Sequence, residues 1–193
     1  MRARVVLAVL AVLASLVIPT TRGEAQQRAA PPATDVTAAE IEAVYNTIGS
    51  SIDQQIKIAD VGHGHVGVGV LYRGAIEDLG DTPAGLVHTE VSEIYYMLSG
   101  GGTLVTGGTT TVLGYLPADN RAVTELIGPS YQATSQGGFA RQISEGDVVV
   151  IPAGLFHAWT NVPDHVTYLS MRLDPDRTLP AGYIHPVLES NEE

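Results

Sequence analysis

Gly146-Asp147-Val148-Val149-Val150-Ile151-Pro152-Ala153-Gly154-Leu155-Phe156-His157-Ala158-Trp159-Thr160-Asn161 is the stretch on which the fold turns. The β-branched run predicts a strand over 147–151, and Pro152-Ala153-Gly154 a tight reversal. A second strand then starts near Phe156. Side chains alternate across a strand, so His157, Trp159 and Asn161 fall on one face. Outward from this hairpin the chain reads as more short strands, at 55–60, 65–72, 84–88, 93–98, 103–106, 140–143 and 166–173. They are rich in Val, Ile, Tyr and Thr, with Gly or Pro between most of them. No long amphipathic helix separates them, so a parallel βαβ sheet is excluded and an all-β sandwich or barrel is expected. Residues 107–139, rich in Gly, Thr and Pro with weak periodicity, read as a long insertion between two hairpins.

A second informative stretch runs Val87-His88-Thr89-Glu90-Val91-Ser92-Glu93-Ile94-Tyr95-Tyr96-Met97-Leu98-Ser99-Gly100. In one continuous strand, His88 and Glu93 would face opposite ways, because their separation is odd. A turn at Thr89–Ser92 removes the conflict: His88 ends one strand and Glu93 begins the next. Glu93, Tyr95 and Met97 then share a face. Two imidazoles and a carboxylate meeting inside a barrel are a donor set for a divalent transition metal, namely Fe, Mn, Zn, Ni or Cu. Three protein ligands leave positions open for water or substrate.

These residues carry a resemblance. Gly146 to Asn161 matches the second cupin motif, G-x5-P-x-G-x2-H-x3-N, at every specified position. His88 to Gly100 resembles the second half of the first motif, G-x5-H-x-H-x3–4-E-x6-G, through Glu93, six intervening residues and Gly100. The chain is thus similar to small bacterial single-domain cupins. That resemblance implies an antiparallel jelly-roll β-barrel behind a short N-terminal helix, with a metal at its centre held by three His and one Glu. This sequence departs from the ligand pattern. If His88 fills the second histidine place, the first holds Leu86; if His88 fills the first, the second holds Glu90. The ligands carried over are therefore His88, Glu93 and His157. Glu90 is an alternative fourth ligand, or a solvated turn residue.

His63 and His65 have the His-x-His form but no Glu at the matching distance. They read as strand-end or surface residues, or as a replacement for the missing ligand if their face points inward. Gly67 and Gly69 on that face suggest room for a ligand or close packing. Tyr95, Met97, Trp159 and His65 are the expected pocket wall. His165 and His185 read as surface residues, and Asp174 with Asp176 as solvated. Gly100-Gly101-Gly102 and Gly107-Gly108 read as hairpin turns, since no Lys or helix follows to make a phosphate loop. No residue is singled out as catalytic.

At the N-terminus, residues 1–25 have the form of a secretory signal peptide. Arg2 and Arg4 precede a run, Val5–Ile18, that is apolar but for Ser15; Pro19 ends it, and Gly23-Glu24-Ala25 offers a cleavage site. Residues 26–36 have linker composition. One domain then spans 37–193, with a helix over 37–48, a barrel over about 55–173 and an extended surface tail over 174–193. Thr37-Ala38-Ala39-Glu40 is a capping box, and Ile41, Val44, Tyr45 and Ile48 make one apolar stripe ahead of Gly49.

The formal net charge of −11 and the single Lys57 leave no basic footprint, so a nucleic-acid partner is excluded. The chain has no Cys, which removes disulfides, thiolate metal sites and Cys nucleophiles. The expected protein is secreted or periplasmic, with no stable membrane insertion after signal cleavage. It is a metal-dependent enzyme on a small oxygen-rich organic molecule, with dioxygenase-like oxidation ahead of isomerisation or decarboxylation on the resemblance alone. A non-catalytic small-molecule-binding barrel is the alternative. Edge-strand pairing predicts a homodimer.

Overall fold

The computed structural model describes residues 32–189; the signal-peptide reading of 1–25 and most of the 26–36 linker lie outside them. After helix α1 (Ala38–Tyr45) come β1 (Asp53–Asp60), β2 (His65–Arg73), β3 (Ala84–His88), β4 (Ser92–Thr106), β5 (Thr109–Tyr115), β6 (Ser130–Gln136), β7 (Phe139–Ser144), β8 (Val148–Ile151), β9 (His157–Asn161) and β10 (Val166–Asp174), then the single turn α2 (Pro186–Glu189). All named strand pairs are antiparallel, and the hydrogen-bonded path β1-β2-β10-β4-β9-β3-β6-β5 does not close on itself. The jelly-roll expectation holds, as an open rather than a sealed barrel.

Strand β4 is the hinge of this architecture. Its first half pairs with β10 and β8, its second with β7 and β9, so one strand serves both sheets. The sequence reading broke it into two strands around a glycine turn. Gly100–Gly102 instead lie within the strand, where it passes between the sheets. Gly100 has φ 71°, and a Cβ on Gly101 or Gly102 would lie 2.3 Å from the Ile143 carbonyl or 2.4 Å from that of Asn161. Backbones that close exclude any larger residue.

Residues 107–139 are also ordered, as β5, β6 and a π-helical turn at Ala122–Ile127. Strand β5 is exposed on both faces. With neither face buried there was no apolar–polar alternation to read. Gly107-Gly108 do form the β4–β5 turn, both at positive φ.

Two apolar layers flank the barrel wall. Inside it, Leu71, Tyr95, Met97, Leu104, Ile151, Trp159 and Tyr168 pack together between the sheets. Outside, α1 lays Val44 and Ile48 against Ile56 and Val70, joined by Leu188 from α2. The capping box forms as expected: the Thr37 hydroxyl accepts from the Glu40 amide, and the Glu40 carboxylate from the Thr37 amide at 2.8 Å. The helix ends at Tyr45, short of 48, and turns carry Ile48 into the same layer. The C-terminal segment is no loose tail, because Leu179, His185 and Leu188 are buried. Asp174 is buried too; it accepts from the Thr178 and Leu179 amides and so fixes the turn that returns the chain.

Candidate metal centre

Three strands bring three donors together. His88 ends β3, bends at 89 and 90 reverse the chain, and Glu93 enters at the start of β4. His157 opens β9, opposite Leu86 of β3. The Pro152–Gly154 reversal ahead of β9 docks on this corner: the Gly154 amide donates to the His88 carbonyl at 2.7 Å, and the Ala153 amide to the Ser92 hydroxyl. His88, Glu93 and His157 are all buried, with one ligand atom of each within 4.8 Å of the others. Glu93 Oε2 lies 3.2 Å from His88 Nε2 and 3.5 Å from His157 Nε2. The two imidazole rings meet edge-on, 4.8 Å apart.

The hydrogen bonds behind the rings set their tautomers. The Ser130 hydroxyl donates its one proton to the Gly128 carbonyl, so toward His88 Nδ1 it accepts. His157 Nδ1 faces the Leu155 carbonyl, which can only accept. Both Nδ1 atoms therefore carry the proton, and both Nε2 lone pairs point at one carboxylate oxygen. Lone pairs and an anion repel one another unless a cation lies among them. A proton can serve one of these two contacts, whereas a divalent ion would satisfy all three donor atoms at once. Backing of this kind, with the far ring nitrogen donating to a fixed acceptor, is what orients metal-ligating histidines. The donor set therefore fits a transition metal.

Glu93 is held from behind as well. Oε1 accepts from the Ser170 hydroxyl at 2.7 Å and from Arg172 Nε at 3.4 Å, and Oε2 accepts from the Tyr95 hydroxyl at 2.8 Å. Burial alone would push the Glu93 carboxyl up; His88, His157 and Arg172 together outweigh it and hold it well below the carboxylate range. Burial drives His157 down to about 4, so it stays neutral and able to ligate in mildly acidic solution. Burial and the Glu93 charge push the Tyr95 phenol well above its ordinary value, so it remains a proton donor.

Arg172 is the residue the sequence reading missed. It is fully buried in β10, with its guanidinium on Glu93, Gln55 and Asp53. Gly69 makes room for it: a Cβ there would sit 2.6 Å from Arg172 Nη1, and one on Gly67 would sit 2.5 Å from the Gln55 amide nitrogen. The small face of β2 thus means close packing rather than ligand space. Tyr168, Ser170 and Arg172 on one face of a strand were the available signal.

A cavity of about 170 Å³ opens beside the triad, smaller than the roughly 300–1,000 Å³ of most drug-sized pockets. Tyr95 lines it. Leu86 lines it too, so an apolar side chain stands where the family pattern would allow a further imidazole. Ala122, Leu126 and Ile127 of the π-helical turn complete the wall. Of the other expected pocket residues, Met97 and Trp159 lie in the inter-sheet core, with the Trp159 indole N–H unpartnered. His65 is buried, but its Nδ1 meets the Leu179 carbonyl at 2.7 Å and it does not join the triad. His63 is exposed ahead of β2, and Glu90 is half-buried outside the cluster. His185, read as a surface residue, is buried; His165 is half-exposed, against Tyr72 and Asp164.

A family model described as Cupin matches residues 69–185. No curated protein matches the chain. Similar solved structures include BH2720 of Bacillus halodurans, at 17% identity over 82% of this chain and 96% of that one, with a TM-score of 0.40. A cupin protein of Bacteroides fragilis is 16% identical over 62% and 72%, with a TM-score of 0.34. The EutQ protein of Clostridium difficile is 16% identical over 66% and 74%, also with a TM-score of 0.34.

Proposed function

The chain belongs to the cupin family, and from that premise we propose that it is an exported, divalent-metal-dependent enzyme acting on a small, oxygen-rich organic molecule. The observation that carries the proposal is the pair of Nε2 lone pairs facing one Glu93 oxygen. His88, Glu93 and His157 would hold one ion of Fe, Mn, Zn, Ni or Cu. Bound there, the ion would supply Lewis-acid or redox chemistry at its open positions. The residues do the rest. Ser130 and the Leu155 carbonyl fix the two imidazoles, and Arg172 with Ser170 holds the carboxylate. Tyr95 keeps a proton at its hydroxyl, beside the cavity. Leu86 and the π-helical turn restrict water at the cavity wall. Oxidation by dioxygen is the leading reaction class, with isomerisation or decarboxylation next; family analogy supports that order. The signal-peptide form of residues 1–25 supports export and a secreted or periplasmic site of action. Exposed Val112, Leu113 and Tyr115 on β5 support a homodimer, which sedimentation tests.

The test is turnover. Metal-loaded protein incubated with enolic and hydroxylated acids should consume dioxygen or convert its substrate, and His157→Ala should abolish this with circular dichroism unchanged. A non-catalytic binding barrel would bind such a compound, convert none of it, and lose only affinity on the substitution.

A further inference from the structure

The cavity beside the triad is lined by two carboxylates, Glu93 and Asp53, and by one guanidinium, Arg73, whose donors are largely unused by the protein. Arg73, the last residue of β2, lies on the same strand face as Leu71 and forms part of the cavity wall. Its Nε donates to the Tyr168 hydroxyl at 3.2 Å. Among the described residues that is its only hydrogen bond, and no carboxylate is ion-paired with it. Arg172 is the contrast, enclosed by Asp53, Glu93 and Gln55. A guanidinium offers five N–H donors in a planar fork that matches a carboxylate, and in Arg73 the Nη1 and Nη2 arms are free of protein partners. Asp53, on the same cavity wall, acts on Arg73 electrostatically but makes no hydrogen bond or ion pair with it, so the fork keeps donors for a ligand.

Arg73 also lies close to the chemistry. The Tyr168 ring it bonds packs on Tyr95 at 4.5 Å between centroids, and the Tyr95 hydroxyl donates to Glu93. The cavity is small and mostly apolar between these two poles, which suits a short carbon skeleton and excludes bulky polyanions.

We propose that Arg73 binds the carboxylate of a small organic acid whose other end faces His88, Glu93 and His157. This rests on the reading of the triad as a metal site, which gives the acid its second point of attachment. Arg73 thereby sets specificity for acids over their neutral analogues.

Full-length protein is titrated calorimetrically with acetate, glycolate and pyruvate, and with acetamide, glycolamide and pyruvamide, while metal content is measured on the same samples. At least one acid should bind about tenfold or more tighter than its amide, the range expected for charge-assisted hydrogen bonds. Arg73→Gln should remove that preference and leave metal content unchanged, and Arg73→Lys should restore part of it. Equal affinity for acid and amide, an unchanged preference in Arg73→Gln, or no binding of any acid would overturn the proposal. If Arg73→Gln does not fold, the wild-type ratio and Arg73→Lys decide. An Arg73-dependent preference in protein that refuses metal would sink the metal reading and uphold this one. Metal uptake without any acid preference would do the reverse.

Discussion

His88 and His157 on one side, and His65 on the other, are all buried imidazoles on strands of one barrel, yet they are put to different uses. His88 and His157 give their Nδ1 protons to a hydroxyl and a carbonyl, and turn Nε2 toward a shared carboxylate. His65 spends Nδ1 on the Leu179 carbonyl, with Asp174 at 3.9 Å, and so ties the C-terminal segment to β2. Burial does not separate a ligand from a fastener. Convergence of the remaining ring nitrogens on one anion does.

The comparison can be broken most severely at Glu93. Glu93→Ala removes the common anion and leaves Arg172 with only part of its compensation, at a cost of about 3 kcal/mol or more in urea unfolding. Metal uptake should vanish with it. A stable Glu93→Ala protein would mean that Asp53 and Gln55 alone satisfy Arg172.

Acid should loosen the same region next. His157 titrates near 4 when folded against an ordinary 6.5, so its folded pKa is depressed. The neutral form is favoured by folding. That contribution is present above pH 6.5 and is lost as pH falls from there through about 4, on the order of 3 kcal/mol for metal-free protein. Denaturation midpoints at several pH values check this, and His157→Gln should flatten the profile across that window.

Gly69→Ala tests the packing behind the carboxylate. Its methyl group would meet Arg172 Nη1, and the Gln54 carbonyl at 3.1 Å, so a loss of about 1–3 kcal/mol is expected. The smallest effect belongs to the fastener. His65→Gln should cost about 1 kcal/mol by thermal unfolding, one net hydrogen bond, and leave metal content untouched. A His65→Gln protein that lost its metal would erase the distinction drawn here.

The same contrast explains what was legible in the chain. Motif spacing and a turn at 89–92 sufficed to bring His88, Glu93 and His157 together, because strand alternation and short reversals are local rules. Arg172, Gln55 and Asp53 were not legible, since their meeting depends on register across β1, β2 and β10. The histidine pair at 63 and 65 stayed open between strand-end residues and a replacement ligand for the same reason, and the tertiary path of residues 174–179 separates His65 from the site. Strand β5 escaped because exposure on both faces erases periodicity, and Gly100–Gly102 because a glycine run signals a turn as readily as a crossing between sheets.

Elemental analysis of the protein after reconstitution with Fe, Mn, Zn, Ni or Cu and removal of excess ion tests the central claim most directly. One equivalent per chain in the wild type, retained in His65→Gln and lost in His88→Ala and His157→Ala, is the predicted result. A folded wild type that refuses every ion, or a His157→Ala variant that keeps its full equivalent, would contradict it.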